Sequence, residues 1–233
     1  MKTAERRTFA ASPIVCGIAA FTVSTSASLA WEAATFDRMM PAYCFAGNTT
    51  EDPEAPGGYA RCDNMPKVFD RAGSSFREGA YIEIVGPSKE PFAGEFEGLE
   101  IRLVNNSKEQ IVLPASDSRI QLVQEARAED GTWKPLEFFP GSWCGNSHHN
   151  VYLDHGHYFT FTAPKYSGPF KTRLRFRAVA ATAETVETPV GKMPSHRRVV
   201  VYSEEFEGSI DTAQFERKED RRSSRGIMDP YGE

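Results

Sequence analysis

Within Thr172-Arg173-Leu174-Arg175-Phe176-Arg177-Ala178-Val179, charged and apolar residues alternate from Arg173 to Ala178. A period of two places Leu174, Phe176 and Ala178 on one face of an extended strand and the three arginines on the other. A helix would scatter both classes around its axis. Leu99-Glu100-Ile101-Arg102-Leu103 repeats the pattern earlier in the chain.

Outward from these two runs, the stretch from about Gly79 divides into short segments separated by turn residues. Strands are expected at Ala80–Val85, Phe96–Val104, Arg119–Ala126, Trp133–Phe138, His149–Leu153, His157–Thr162, Thr172–Val179 and Arg198–Phe206. The turn signals between them include Asn105-Asn106, Asp130-Gly131, His155-Gly156 and Ser167-Gly168-Pro169. Asp130-Gly131 is the clearest hairpin signal. About seven or eight strands with almost no helical period read as an all-β chain, an immunoglobulin-like antiparallel β-sandwich, with a closed barrel as the alternative. Thr182 to Pro194 reads as a long loop before the last strand.

The region before the strands has a different character. Trp31 to Met40 reads as a short helix stopped by Pro41, which lacks the N–H a helix needs. Tyr43 to Pro66 is dense in Gly, Pro, Asn and Asp and reads as irregular loop, bracketed by Cys44 and Cys62. A disulfide between those cysteines is expected, worth roughly 3 kcal/mol by loop closure. Beyond Ile210 the chain is strongly polar and reads as a disordered tail. The expected organisation is thus an export signal over 1–30, an irregular disulfide-closed segment over 31–78, the sandwich over 79–210 and a tail over 211–233.

Residues 1–30 combine Lys2, Arg6 and Arg7, a modestly apolar run from Ala10 to Val23 and a small-residue ending at Ser28-Leu29-Ala30. Export to a periplasm or medium is the expectation, with cleavage after Ala30. Arg6-Arg7-Thr8-Phe9 resembles the core of a twin-arginine signal, from which Glu5 and Ala10 depart. No stretch is long and apolar enough for a membrane span. The formal charge of −5 argues against non-specific binding to nucleic acid or anionic lipid.

The candidate site is Gly141 to His157, which holds Cys144 and four of the five histidines. If Cys44 pairs with Cys62 and Cys16 leaves with the signal, Cys144 has no partner. Beside Trp143 it reads as a core-filling residue. The second reading is a metal site for copper or zinc with Cys144, His148, His155 and His157 as ligands, since thiolate and imidazole suit those ions. A nucleophilic cysteine assisted by His148 lacks the surrounding motif, and no Gly-x-Ser-x-Gly turn exists for a serine nucleophile. The acidic groups Glu95, Glu97, Glu100 and Glu204, Glu205, Glu207 read as a solvated face rather than as paired catalytic acids. Trp133, Trp143, Tyr152, Tyr158 and Tyr166 are candidates for stacking on sugars. The functional expectation is therefore an exported, non-catalytic binding or structural module with a protein or glycan partner, and a metal-binding protein as the alternative.

Overall fold

The computed structural model describes residues 31–48, 62–69, 77–140, 147–189 and 191–216. Its strands are β1 Met40–Pro41, β2 Lys67–Val68, β3 Gly79–Pro87, β4 Gly98–Asn106, β5 Ile111–Ser116, β6 Arg119–Ile120 and β7 Leu122–Arg127. They continue as β8 Trp133–Pro135, β9 Glu137–Phe138, β10 His148–Leu153, β11 His157–Pro164, β12 Phe170–Thr188, β13 Gly191–Tyr202 and β14 Phe206–Ile210. The chain is all-β as expected, and its two main sheets are antiparallel. One sheet runs β10-β5-β12-β7-β8, with β13 and β14 also on β12 and β6 on β5; the other runs β2-β11-β4-β3. Among the described residues no helix is long and apolar enough to cross a membrane.

The alternating run at 172–179 lies on β12, which is paired along both edges. One edge meets β14 over Phe170–Leu174 and then β13 from Arg177 onward; the other meets β7 over Leu174–Ala178 and then β5 at Ala181 and Thr182. Phe176, Ala178 and Ala180 are buried in one cluster with Leu113, Leu122 and Val201 of the same sheet and with Ile82, Ile101, Leu103, Phe159 and Phe161 of the other. The apolar faces of both sheets therefore share one core. On the opposite face, Glu125 of β7 takes Arg175 at 2.8 Å and Arg177 at 2.5 Å. The Arg175 guanidinium also lies 4.2 Å from the ring centroids of Trp133 and Tyr202. The arginines expected to face outward do so, and they tie β7, β8, β12 and β13 together.

Asp130-Gly131 forms the expected hairpin between β7 and β8. Gly131 has φ +81°, and the Asp130 carboxylate accepts from the Thr132 N–H at 2.9 Å. Other expectations are corrected. Trp31 to Met40 is extended rather than helical, because its backbone groups pair with other segments: Glu97 N–H with the Glu32 carbonyl, Ala34 N–H with that of Lys165 and Met40 N–H with that of Leu136. The long loop expected at Thr182 to Pro194 is instead the outer part of a β12–β13 hairpin. Its Thr- and Val-rich sequence suits strands, and the turn falls only between Thr188 and Gly191, the latter with φ +120°. Ile111–Ser116 is a strand beyond those expected, with its Pro114 opposite Asn150 of β10. Two expected strands are broken, at Gln121 and at Leu136. The expected disordered tail begins instead with a 3-10 turn at Thr212–Phe215, capped by Asp211 and Gln214, and residues 217–233 lie outside the described residues.

Gly168 precedes β12 where the chain passes β14. A Cβ there would sit 2.1 Å from the Ile210 carbonyl carbon and 2.3 Å from the Asp211 nitrogen. Backbone cannot yield as a side-chain tip can. Gly168→Ala is therefore expected to lower the unfolding free energy by about 2 kcal/mol or more, measured by urea denaturation.

Candidate functional site

β9 lies directly beyond β8, and its neighbour Leu136 donates its N–H to the Gln124 carbonyl at 2.9 Å. On the other side β9 pairs in parallel with β1 of the N-terminal segment. This leaves Glu137 enclosed, 2% exposed. Its carboxyl accepts from the Gln124 backbone N–H at 2.5 Å and from the Tyr166 hydroxyl. The Tyr43 hydroxyl is close enough to favour the carboxylate, yet stands outside hydrogen-bond geometry and is buried without a partner.

Burial disfavours the charged form more than these donors favour it, and Glu125 adds repulsion, so the Glu137 carboxyl is raised to about 8. At neutral pH it therefore holds its proton. The same burial, with Glu137 nearby, raises the Tyr43 and Tyr166 hydroxyls and the Cys44 thiol well above their ordinary values. All four groups are thereby biased toward their neutral forms. A recess of 240 Å³ borders Glu137 beside Met39, Val123 and Arg177, whereas the carboxyl oxygens engage Gln124 and Tyr166.

Gln124 and Tyr166 also line a cleft of 890 Å³ where the ends of the two sheets meet. Their strands explain the placement: Gln124 stands opposite Phe176 in the β7–β12 ladder, and Tyr166 follows β11 and bridges to Ala34. Leu99, Leu174 and Phe206 supply apolar wall, the exposed Lys165 stands at the rim, and Lys171 and Arg173 border the cleft from β12, exposed on that strand's other face. Lys165 is held by Glu97 at 2.8 Å, and Arg173 by Glu205 and Glu207 at 3.6 and 3.9 Å. The side-chain nitrogen and oxygen of Gln124 are both buried without a hydrogen-bond partner. Such an amide is costly unless something else satisfies it.

The residues singled out from sequence are arranged otherwise. His148 begins β10, opposite Ser116, while Leu153 ends it, opposite Ile111. At about 3.4 Å per residue the strand alone separates His148 from the His155 turn by roughly 17 Å. His148 is therefore apart from His155 and His157 of the expected set, and Cys144 lies outside the described residues. His155 Nδ1 donates to the Ser107 carbonyl, and His157 Nδ1 to that of His155 at 3.0 Å. Among the described residues no three His, Cys, Asp or Glu side chains gather as a ligand set. His149 is buried with Val151 and Leu153, as period two requires. Of the aromatic candidates, Trp133 stacks on Arg175, Tyr158 on Arg102 at 5.2 Å, and Tyr166 is buried. Glu97, Glu100, Glu204, Glu205 and Glu207 form ion pairs with neighbouring cations rather than paired acids.

Cys44 and Cys62 are corrected as well: both are free thiols. Cys44 is wholly buried in the main core, and the Ile120 N–H bonds its carbonyl. The returning segment is offset, so the Cys62 carbonyl oxygen falls 2.4 Å from where a Cβ on Gly47 would stand. Gly47, rather than Cys44, is what Cys62 passes. The groups missed from sequence, Glu137 with Gln124, Tyr43 and Tyr166, left one trace: Glu137 is a lone acid within the apolar run Leu136 to Phe139.

No protein-family model matches this chain, and neither a curated protein nor a solved structure does.

Two outcomes follow. Between about pH 4.5, the ordinary carboxyl value, and about pH 8 the folded chain holds a proton on Glu137 that the unfolded chain has released. Stability from this group is full below that window, declines through it and is gone above it, a change of at most about 5 kcal/mol. Glu137→Gln should lack this slope, so its unfolding free energy should gain on that of the native protein from pH 5 to pH 9. In alkylation and peptide mapping, Cys62 should label in the native state and Cys44 only after denaturation.

Proposed function

We propose that this chain is an exported, non-catalytic binding module of immunoglobulin-like β-sandwich type, and that it takes a small ligand in the cleft between its sheets. The observation that carries this reading is the Gln124 side chain, whose amide is buried at the cleft with neither atom satisfied. A purely structural position would favour an apolar residue of similar size, because an unmet amide destabilises the fold. A volume of 890 Å³ falls within the range of about 300–1,000 Å³ usual for ligand pockets. Apolar walls and a polar interior group give such a pocket both affinity and orientation.

A binding role fits better than a catalytic one. Glu137 touches Gln124 and Tyr166 from behind and is not part of the cleft lining. Its proton, together with the neutral Tyr43, Tyr166 and Cys44 groups around it, makes an uncharged cluster behind the cleft wall. Export remains part of the proposal and rests on residues 1–30.

The test is a small-fragment screen containing acids, bases and neutral compounds, read by amide chemical shifts of the isotope-labelled protein. Compounds that bind should shift Gln124, Tyr166 and Leu174 together, and Ala33→Phe, which adds a ring to the cleft wall, should weaken them about tenfold or more. Fragments that bind elsewhere, or bind equally well in Ala33→Phe, count against the cleft.

A further inference from the structure

β13 is bonded along one side only. Among the named strands it pairs with β12 alone, and the parity of that ladder decides which of its backbone groups point away. The Ser203 N–H donates to the Phe176 carbonyl at 3.0 Å, and this pair continues the register that sets Arg177 opposite Tyr202. Antiparallel ladders alternate bonded and unbonded pairs. Val201, Val199 and Arg197 therefore turn their backbone N–H and C=O groups toward Ala178, Ala180 and Thr182, whereas Val200, Arg198 and His196 turn theirs to the opposite side. No other strand of the described residues pairs with them there.

The open stretch is bounded at both ends. Pro194 has no N–H to offer a neighbour, and beyond Tyr202 the chain meets β3 at the bridge between Ile82 and Ser203. Between these stops Arg197 and Arg198 are exposed, and Val200 and Tyr202 are 38% and 41% exposed. Gly191 to Tyr202 contains Lys192 and both arginines but no carboxylate. Among the described residues no acid pairs with either arginine. Basic charge and a proline guard an edge against strands of its own kind. A second copy of β13 laid along this edge would bring the arginine pairs of both copies together, where like charges repel. The same charge attracts a strand that carries acids.

From this edge we infer a docking site for an extended, acidic segment of a partner protein, which adds to β13 as a further antiparallel strand. Opposite Val200 and Val199 the segment carries two apolar, β-branched residues, and opposite Arg198 and Arg197 it carries two carboxylates. Backbone bonds to Val200, Arg198 and His196 give affinity, and the side chains beside them give specificity. The paired length is about five residues, or about 17 Å of strand. None of these residues lines the cleft, so the site goes beyond the cleft reading and is tested separately from it.

The experiment is titration of the full chain with acetyl-Thr-Ile-Val-Glu-Glu-Thr-amide, read by amide chemical shifts and by amide-proton exchange at Arg198 and Val200. Two controls accompany it. One has Lys-Lys in place of Glu-Glu, and the other is methylated on the nitrogens of Ile and the first Glu, which fall opposite Val200 and Arg198. The acidic peptide should bind about tenfold or more tightly than either control and should slow exchange at both amides. A chain with Arg197→Glu and Arg198→Glu should prefer the Lys-Lys peptide. Val200→Pro removes an outward N–H and leaves the bonds to β12 in place, so it should weaken the acidic peptide about tenfold while the rest of the amide spectrum is kept. Equal binding of the methylated peptide reduces the contact to charge attraction and overturns the strand pairing. Failure of the acidic peptide to bind overturns the site. So does protection of Arg198 and Val200 in the protein alone: if it grows with protein concentration the occupant is a second copy, and if it does not the chain covers its own edge.

Discussion

β12 carries hydrogen bonds on both edges to four other strands, and its inner face carries side chains of the main core. A strand paired on both sides and buried on one face has no freedom to slip. A shift of one residue would bring Arg175 and Arg177 into the core and Phe176 to the surface. Glu125 reinforces that register from the outer face by engaging both arginines, and Trp133 and Tyr202 enclose Arg175 between them. The position of Gln124 opposite Phe176, and with it the inner end of the cleft, is a consequence of this one ladder.

The N-terminal segment supplies the second condition. Extended along the ends of both sheets, it satisfies its backbone groups on Phe96–Glu97, Lys165, Leu136, Phe138 and Ser118–Ile120. It also brings Tyr43 and Cys44 against Glu137. Removing a carboxyl from water this completely is tolerable because it keeps its proton at neutral pH and has Tyr166 and the Gln124 N–H as partners. The buried acid and the unmet amide are adjacent in the same structure. One supports the wall, and the other belongs to a residue of the cleft lining.

The two signals available in the sequence had different outcomes. Alternation is a local property with a direct structural cause, so the runs at 99–103 and 172–179 and the Asp130-Gly131 hairpin were legible. Trp31 to Met40 misled because its apolar and acidic mixture suits a short helix, while the hydrogen-bond partners that hold it extended lie far away in sequence. The histidine stretch drew attention through composition, yet composition does not reveal that one six-residue strand places His148 and His155 at opposite ends. Cys44 and Cys62 looked paired because they bracket a loop, whereas the registry of the returning segment sets Cys62 beside Gly47.

By itself the sequence determined the all-β character, the inward and outward faces of the principal strands and the best hairpin turn, since each depends on residues within a few positions of one another. The cleft, the proton on Glu137 and the unmet Gln124 amide were decided only by tertiary structure. Each depends on groups from separate strands and on the loss of water around them. Desolvation is a property of the assembled enclosure, and no single segment of this chain encodes it.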